Sequence, residues 1–216
     1  MQQEVEVQGF RLSPQQKRLW GVQQHGAVSH AQAVIRLDGV FDGSRLRTAL
    51  RKVIARHQSL RTNFYREAGV KIPFQVISEQ VEVPWRSLDL QCLEDSRHQE
   101  SIEAELTAGR AASVAWECGS LLSATWCIFS PERSVLLLDI PALCADRCSL
   151  QNLASEMAQW YREHDAEEIT DEPVQYAQFS EWQNELLTEG EAEAGRERWA
   201  NQHLASYPVL TLPFER

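Results

Sequence analysis

The chain has 216 residues, of which 43% are hydrophobic and 24% charged, and its formal net charge is −10. These values are typical of a globular protein with a sizeable apolar core. The negative charge excludes a general nucleic-acid binder, which needs clustered cations to displace phosphate counterions. No apolar run approaches bilayer-spanning length, and the N-terminus lacks a signal-peptide pattern, so we expect a cytoplasmic protein with no membrane partner.

The cysteines and histidines show no metal-ligand spacing. The five cysteines form no CxxC pair, and no second set of Cys or His matches the four-residue step between Cys144 and Cys148. We therefore expect no metal site and interpret the cysteines as small buried side chains. His57 lies on an apolar helix face and is interpreted as a hydrogen-bonded core residue. The other histidines are scattered along the chain: His25, His30, His98, His164 and His203.

The first half of the chain predicts two helices and several short strands. Ser13 can cap a first helix, because a proline follows it at the first helical position. Residues 31–37 alternate as in a strand, which we expect to continue through 40–41. A second, amphipathic helix begins at Asp42 or Ser44. Further short strands are expected at 61–65, 73–77 and 81–85.

The second half adds a hairpin and several helices. A short turn joins two apolar strands, 121–129 and 134–140, which must pair antiparallel because so short a loop permits no parallel crossover. Residues 176–182 carry aromatics at helical spacing, which is typical of a helix packed in a core. The remaining predicted helices cover 93–110, Ser149 to 161 and 192–205. This element order predicts an α+β fold, an α/β sandwich with a mixed sheet.

Residues 134–150 have the features of a site. An apolar strand leads into a tight loop with an isolated Asp146, and a helix follows. Such strand–loop–helix segments often hold functional groups at the end of a buried strand. No histidine, however, lies between His98 and His164.

Four motifs in order resemble those of condensation domains from nonribosomal peptide synthetases. Residues 56–64, RHQSLRTNF, match the second core motif of that family, RHxxLRTxF, at every defined position. Residues 12–20 (LSPQQKRLW) resemble the first core motif, and 176–183 (YAQFSEWQ) resemble the fourth. Residues 210–216 resemble the connector that follows it.

The resemblance implies half of a chloramphenicol acetyltransferase-like fold, with a mainly antiparallel mixed sheet flanked by helices. Family members have two lobes around a tunnel, to which carrier proteins deliver thioester-bound acyl groups. Residues 1–216 would form a single domain, the N-terminal lobe, with the C-terminal lobe absent from this chain.

The third core motif, HHxxxDG, is degenerate when aligned on Asp146. Its histidines fall on Pro141 and Ala142, and its glycine falls on Arg147. The family's second histidine is credited with positioning or deprotonating the acceptor amine, which an alanine side chain cannot do. Loss of general acid–base help costs about 10²–10⁴ in rate.

The resemblance also assigns roles to three charged residues. The motif aspartate of the family is structural and pairs with the second arginine of RHxxLRTxF, so an Arg61–Asp146 ion pair is expected. Arg147 replaces a glycine near the substrate channel. A long cation there would narrow the channel or bind an anion, such as a phosphopantetheine phosphate or a carboxylate.

Two functional hypotheses follow. The first is a catalytically degenerate condensation-like domain in secondary-metabolite biosynthesis, which acts as a scaffold or docks carrier domains or a tailoring enzyme. The alternative is an active amide- or ester-forming domain with a rewired site, in which Cys144 is a nucleophile or Asp146 a base. No cofactor is expected to bind directly, since phosphopantetheine is carried by the partner carrier proteins. The surface that a C-terminal lobe should cover could also self-associate.

Overall fold

The computed structural model describes residues 9–23, 28–163, 172–188 and 191–202. The strands are β1 Gly9–Arg11, β2 His30–Asp38, β3 Thr62–Tyr65, β4 Phe74–Ile77, β5 Trp85–Asp89, β6 Ser123–Ser130 and β7 Arg133–Pro141. The helices are α1 Pro14–Gln23, α2 Gly43–Arg56, α3 His98–Ala111, α4 Arg147–Arg162, α5 Tyr176–Thr188 and α6 Glu191–Ala200. Short 3₁₀ helices cover Gln58–Arg61 and Asp95–Arg97.

The strands form two sheets. The larger sheet has the order β2-β7-β6-β5, with β7 antiparallel to β2 and β6, and β5 parallel to β6. The smaller sheet, β1-β4-β3, is antiparallel throughout. The predicted α+β fold and the predicted antiparallel hairpin of β6 and β7 are confirmed.

Strand β7 is buried on both faces, which explains its nearly continuous apolar sequence. Leu136, Leu138 and Ile140 pack in the main core with side chains of α2 and α4. Val135 and Leu137 face the other way, into a second cluster with Ile102 of α3. Full burial of one such side chain stabilises the fold by about 1.5–3 kcal/mol. The strand that leads into the loop is therefore firmly fixed.

A third apolar cluster supports the loop after β7. Leu143 of that loop packs with Leu12, Trp20 and Phe64, which come from the start of the chain, α1 and β3. Leu12 is fully buried and Phe64 is 1% exposed. Residues of the first two core motifs thus pack against the loop and support it.

Several predicted boundaries were wrong. The segment 40–41 is not a strand, β5 lies at Trp85–Asp89 rather than at 81–85, and α3 begins at His98 rather than at 93. The residues just before α3, 94–97, are exposed and polar, so apolar periodicity gives no signal for where that helix begins. The predicted connector, 210–216, and the end of the last predicted helix lie outside the described residues.

Candidate functional site

The motif loop, residues 141–147, connects β7 to α4 and is held by backbone hydrogen bonds. The Ala142 amide donates to the Ser29 carbonyl (2.8 Å), next to the start of β2, and the Cys144 amide donates to the Pro141 carbonyl (2.9 Å). These bonds fix the loop at the end of the central strand, as the strand–loop–helix pattern predicted.

A side chain from the first core motif anchors the middle of the loop. Gln16 is buried, and its Nε2 donates to the Leu143 carbonyl (3.0 Å) and to Gln75 Oε1 (3.0 Å). Gln16 is itself fixed, because it exchanges hydrogen bonds with Ser13 at the start of α1 in a capping box. The conformation of the loop therefore depends on residues more than 100 positions away.

Asp146 is the N-cap of α4. Its Oδ1 accepts hydrogen bonds from the backbone amide (2.7 Å) and the hydroxyl (2.7 Å) of Ser149. The bonds from Ser149, first from its amide, lower the pKa of the Asp146 carboxyl. The sequence prediction that Ser149 caps this helix was wrong: Ser149 supplies donors, while Asp146 supplies the capping acceptor. A carboxyl with a lowered pKa is ionised near neutral pH and is a weak proton acceptor there.

The described residues contain no Arg61–Asp146 ion pair, in contrast to the expectation from the resemblance. Arg61 ends the 3₁₀ helix before β3, and its guanidinium donates to the carbonyl of Ser78 (2.6 Å), just beyond β4. Asp146 is engaged by Ser149 instead. Arg61 thus joins two strands of the smaller sheet, and Asp146 stabilises a helix end.

Cys144 packs against two apolar clusters. It is partly buried and touches both the main core and the cluster around Leu143. Burial raises the pKa of the Cys144 thiol to about 12. Because the thiolate is the nucleophile, this environment disfavours covalent chemistry at Cys144. Its neighbour Cys148 is exposed on α4.

Ala142 lies between two cavities, one on either side of the motif loop. The first is a groove of about 650 Å³ along β2 and the N-terminal part of α4, and Arg147 and Asp146 line it together with Ala142. The second, about 340 Å³, is bounded by α1, α5 and the opposite side of the loop. Pro141 is buried at the end of β7. The loop is thus open to small molecules on both sides, while Ala142 offers no polar side-chain group.

Arg147, the first residue of α4, is exposed at the wall of the groove. Its guanidinium makes no ion pair with any residue in the described part of the chain. It is therefore available to an anion from solution.

Sequence reasoning missed a carboxylate that joins two helices. Glu156 of α4 contacts His57 (Nε2–Oε2, 2.6 Å) and Arg56 (Nε–Oε1, 3.1 Å), the first two residues of RHxxLRTxF. All three side chains are at most 31% exposed. His57 is hydrogen-bonded, as predicted, but sequence spacing gives no signal for a partner 99 residues away.

A second histidine–carboxylate pair lies beside the motif loop and was also missed. His30, at the start of β2, contacts Asp139 of β7 (Nδ1–Oδ1, 2.9 Å), and its side chain is only 4% exposed. In the antiparallel ladder His30 lies opposite Pro141, so it stands one strand away from the start of the motif loop. A correct pairing of β2 with β7 would have suggested this contact.

Membrane spans and metal sites are both absent among the described residues. None of their helices combines the length and the hydropathy required to cross a bilayer. No group of three or more His, Cys, Asp or Glu side chains among them is arranged to hold a metal ion.

A family model described as Condensation domain matches residues 7–216. The chain belongs to the condensation-domain family. Chondramide synthase cmdD from Chondromyces crocatus is 32% identical over 208 residues, and tyrocidine synthase 3 from Brevibacillus parabrevis is 31% identical over 207. Each match includes 94% of this chain, but only 5% and 3%, respectively, of those synthases.

Solved condensation domains have the same fold. The starter condensation domain of rhizomide synthetase RzmA superposes with a TM-score of 0.80 at 19% identity, over 93% of this chain and 46% of that one. The complex of the X-domain and OxyB from teicoplanin biosynthesis gives a TM-score of 0.77 at 24% identity, over 98% and 47%. This condensation-domain chain thus spans about half the length of these solved relatives.

Proposed function

We propose that this chain is the N-terminal lobe of a condensation domain whose motif loop is catalytically silent and whose role is docking. The observation that carries the proposal is the side chain at position 142 of the motif loop. Ala142 has no group that accepts a proton, although the loop is intact and open on both sides. The docked partners would be carrier domains of a peptide synthetase, a tailoring enzyme, or both.

The alternative of acyl transfer through Cys144 or Asp146 has no support in the geometry. Burial raises the pKa of Cys144 to about 12, and no histidine in the described residues is hydrogen-bonded to it. Asp146 already accepts two hydrogen bonds from Ser149, which lower its pKa. A nucleophile needs a neighbouring base or a lowered pKa, and a general base that works near neutral pH needs a pKa close to that pH, whereas the pKa of Asp146 is lowered.

An exposed apolar stripe on α5 supports the two-lobed assembly. Phe179, Trp182 and Leu186 lie three and four residues apart on one face and are 38%, 53% and 40% exposed. The rings of Phe179 and Trp182 contact each other, with centroids 5.6 Å apart. The sequence favoured core packing for the aromatics of α5, with a contact to the second lobe as the alternative for Trp182, and these exposures are contrary to core packing within the described residues. A stripe of this kind is typical of a protein interface, and we assign it to the C-terminal lobe.

A tailoring enzyme is proposed as a partner because a domain of this fold is known in complex with OxyB from teicoplanin biosynthesis. Carrier docking is proposed from family membership and from Arg147. Its exposed guanidinium at the groove wall suits the phosphate of a carrier's phosphopantetheine arm.

The proposal is tested with the complete synthetase that contains this chain. The loaded carrier should bind the condensation domain, and Arg147→Ala should weaken binding while Arg36→Ala, on β2 away from the loop, should not. Mass spectrometry should detect no amide or ester product. Product formation that is lost in Cys144→Ala or Asp146→Asn would refute the silent motif, and undetectable carrier binding would refute the docking role.

A further inference from the structure

Helix α5 is attached to the start of the chain through its inward face. Ser180 Oγ donates to the Arg11 carbonyl (2.7 Å), and Asn184 Nδ2 donates to the Leu12 carbonyl (2.9 Å). Ser180 is fully buried and Asn184 is 5% exposed. Because the two acceptors are consecutive backbone carbonyls, these bonds fix the position of α5 along the segment that leads into α1.

The first residue of α5, Tyr176, extends this attachment to α1 itself. Its hydroxyl forms a 2.8 Å hydrogen bond with the Ser13 hydroxyl, which also accepts from the Gln16 amide (3.1 Å). Ser13 is fully buried and Gln16 is 5% exposed, so these bonds are largely shielded from solvent. Tyr176 therefore contacts the capping box that contains the anchor of the motif loop.

The hydrogen bonds leave the Gln16 side chain a single orientation. Its Oε1 accepts from the Ser13 backbone amide (2.9 Å), which can only donate. Its Nε2 must then donate to the Leu143 carbonyl and to Gln75 Oε1, both at 3.0 Å. A displacement of Ser13 would be passed on to the loop, because one amide group contacts both.

Aromatic rings continue the network from Tyr176 to the exposed stripe on α5. The ring centroids of Tyr176 and Phe179 are 6.0 Å apart, and those of Phe179 and Trp182 are 5.6 Å apart. Aromatic pairs at such distances attract each other beyond simple burial. A series of contacts thus runs from the exposed ring of Trp182 to the hydroxyl of Tyr176, and from there to the Leu143 carbonyl.

The same helix also forms part of the 340 Å³ cavity beside the motif loop. Tyr176 and Phe179 line this cavity together with loop residues 142–146. The shape of the cavity therefore depends on where α5 lies relative to the loop.

We propose that α5 couples the lobe interface to the motif loop, and that Tyr176 is the positioning residue that fixes the loop through Ser13 and Gln16. Packed side chains and hydrogen-bond networks can carry energetic coupling between separated sites. The part played by the second lobe rests on the proposed assignment of the apolar stripe. The positioning of the loop rests on contacts within this chain.

The positioning role is tested with Tyr176→Phe, which removes the hydroxyl and keeps the ring. Amide hydrogen exchange measured by NMR reports opening of the loop at the Cys144 amide, which donates to the Pro141 carbonyl. We expect exchange at Cys144 to become about fivefold faster, the effect of one lost hydrogen bond. The ¹³C shift of the Leu143 carbonyl should also change, because its bond from Gln16 changes length.

Tyr161→Phe is the matched control. It removes a tyrosine hydroxyl that accepts from the Asp42 amide (3.0 Å), at the opposite end of α4 from the loop. The Cys144 amide should exchange at the unchanged rate in this variant, whereas a general loss of stability would speed exchange in both. Equal effects of the two substitutions, or no effect of Tyr176→Phe, would overturn the positioning role.

A double-mutant cycle tests the route through Gln16. Gln16→Met is close in volume and removes the hydrogen bonds, so it should speed exchange at Cys144 by itself. Adding Tyr176→Phe to this variant should increase the rate by less than about twofold, because the route is already broken. A full further fivefold increase would overturn the route. An unchanged Leu143 carbonyl shift in Tyr176→Phe would overturn it as well, and that measurement needs no change at Gln16.

The complete condensation domain of the synthetase tests the coupling to the second lobe. Hydrogen exchange followed by mass spectrometry should be slower in the motif loop of the complete domain than in this chain, and Tyr176→Phe should abolish the difference. Oxidative footprinting of Trp182 reports separately whether the second lobe covers the stripe.

The two readouts distinguish the possible failures. A protected Trp182 with unchanged loop exchange would overturn the coupling and leave the proposed interface intact. A Trp182 that is equally reactive in both proteins would refute the proposed interface together with the coupling. The results on Tyr176→Phe in this chain are independent of both outcomes.

Discussion

Two histidine–carboxylate pairs differ in what they leave free: one joins the middle of α4 to the end of α2, and the other lies between β2 and β7 on the side of α3. In the middle, Glu156 engages both His57 and Arg56, so its two oxygens face α2. Between β2 and β7, His30 has one carboxylate partner, Asp139, and its other nitrogen is buried without a hydrogen-bond partner among the described residues. The same chemical groups thus hold two helices together in one region and leave a hydrogen-bond acceptor in the other.

The residues of the second core motif serve the fold in this domain. The residues that match RHxxLRTxF join helices and strands through Arg56, His57 and Arg61. The motif loop is held by Gln16 and by the Asp146 cap, and it contains no histidine. These contacts hold the loop in place without any histidine side chain in it.

The largest expected effect concerns the two cysteines at the N-terminal end of α4. At pH 8 a thiol-specific reagent should modify exposed Cys148 at least about a hundredfold faster than Cys144, because burial raises the pKa of Cys144 to about 12. The rates are measured by peptide mass spectrometry, with Cys148→Ser to isolate Cys144. A Cys144 that reacts as fast as Cys148 would restore it as a candidate nucleophile.

The contribution of the Glu156 contacts to stability is tested with the substitution Glu156→Gln. The substitution removes the charge that Arg56 and His57 share, so the free energy of unfolding should fall by about 2–3 kcal/mol, as for hydrogen bonds to charged groups. Urea denaturation followed by circular dichroism measures it. Glu105→Gln is the matched control: Glu105 pairs with Arg86, whose side chain is 57% exposed, and the loss should stay below about 1 kcal/mol. Equal losses would contradict a structural role for Glu156.

The Asp146 cap should give a smaller effect. Asp146→Ala should lower the free energy of unfolding by about 1 kcal/mol, whereas Asp146→Asn keeps a capping oxygen and should be nearly neutral at pH 7. The hydrogen bonds from Ser149 lower the pKa of Asp146 in the folded state, so its charge-dependent stabilisation is present above the unfolded pKa of about 4. It is lost as the pH falls through the lower, folded pKa.

Denaturation at several pH values between 7 and 3 measures this dependence. Asp146→Asn should flatten the acid-side decline relative to the unchanged chain. An unchanged slope would show that another carboxyl group dominates, and a strong loss with Asp146→Asn at pH 7 would indicate a partner other than Ser149.

The sequence predicted the elements with clear local signals and the family to which they belong. Caps and apolar periodicity located α1, α2 and the β6–β7 hairpin, because these depend on residues within a few positions. The contacts of His30 and Glu156 cross 109 and 99 positions, so no local pattern reveals them. The expected Arg61–Asp146 pair came from the resemblance, and this chain instead uses each residue for a local contact, with Ser78 and with Ser149.

The most direct measurement of the central claim is product formation by the complete synthetase with both carriers loaded, one with an acyl and one with an aminoacyl thioester. A silent motif loop predicts carrier binding without amide formation above the rate of the free thioesters in solution. Robust amide formation that Cys144→Ala or Asp146→Asn abolishes, while carrier binding and folding are retained, would contradict the account.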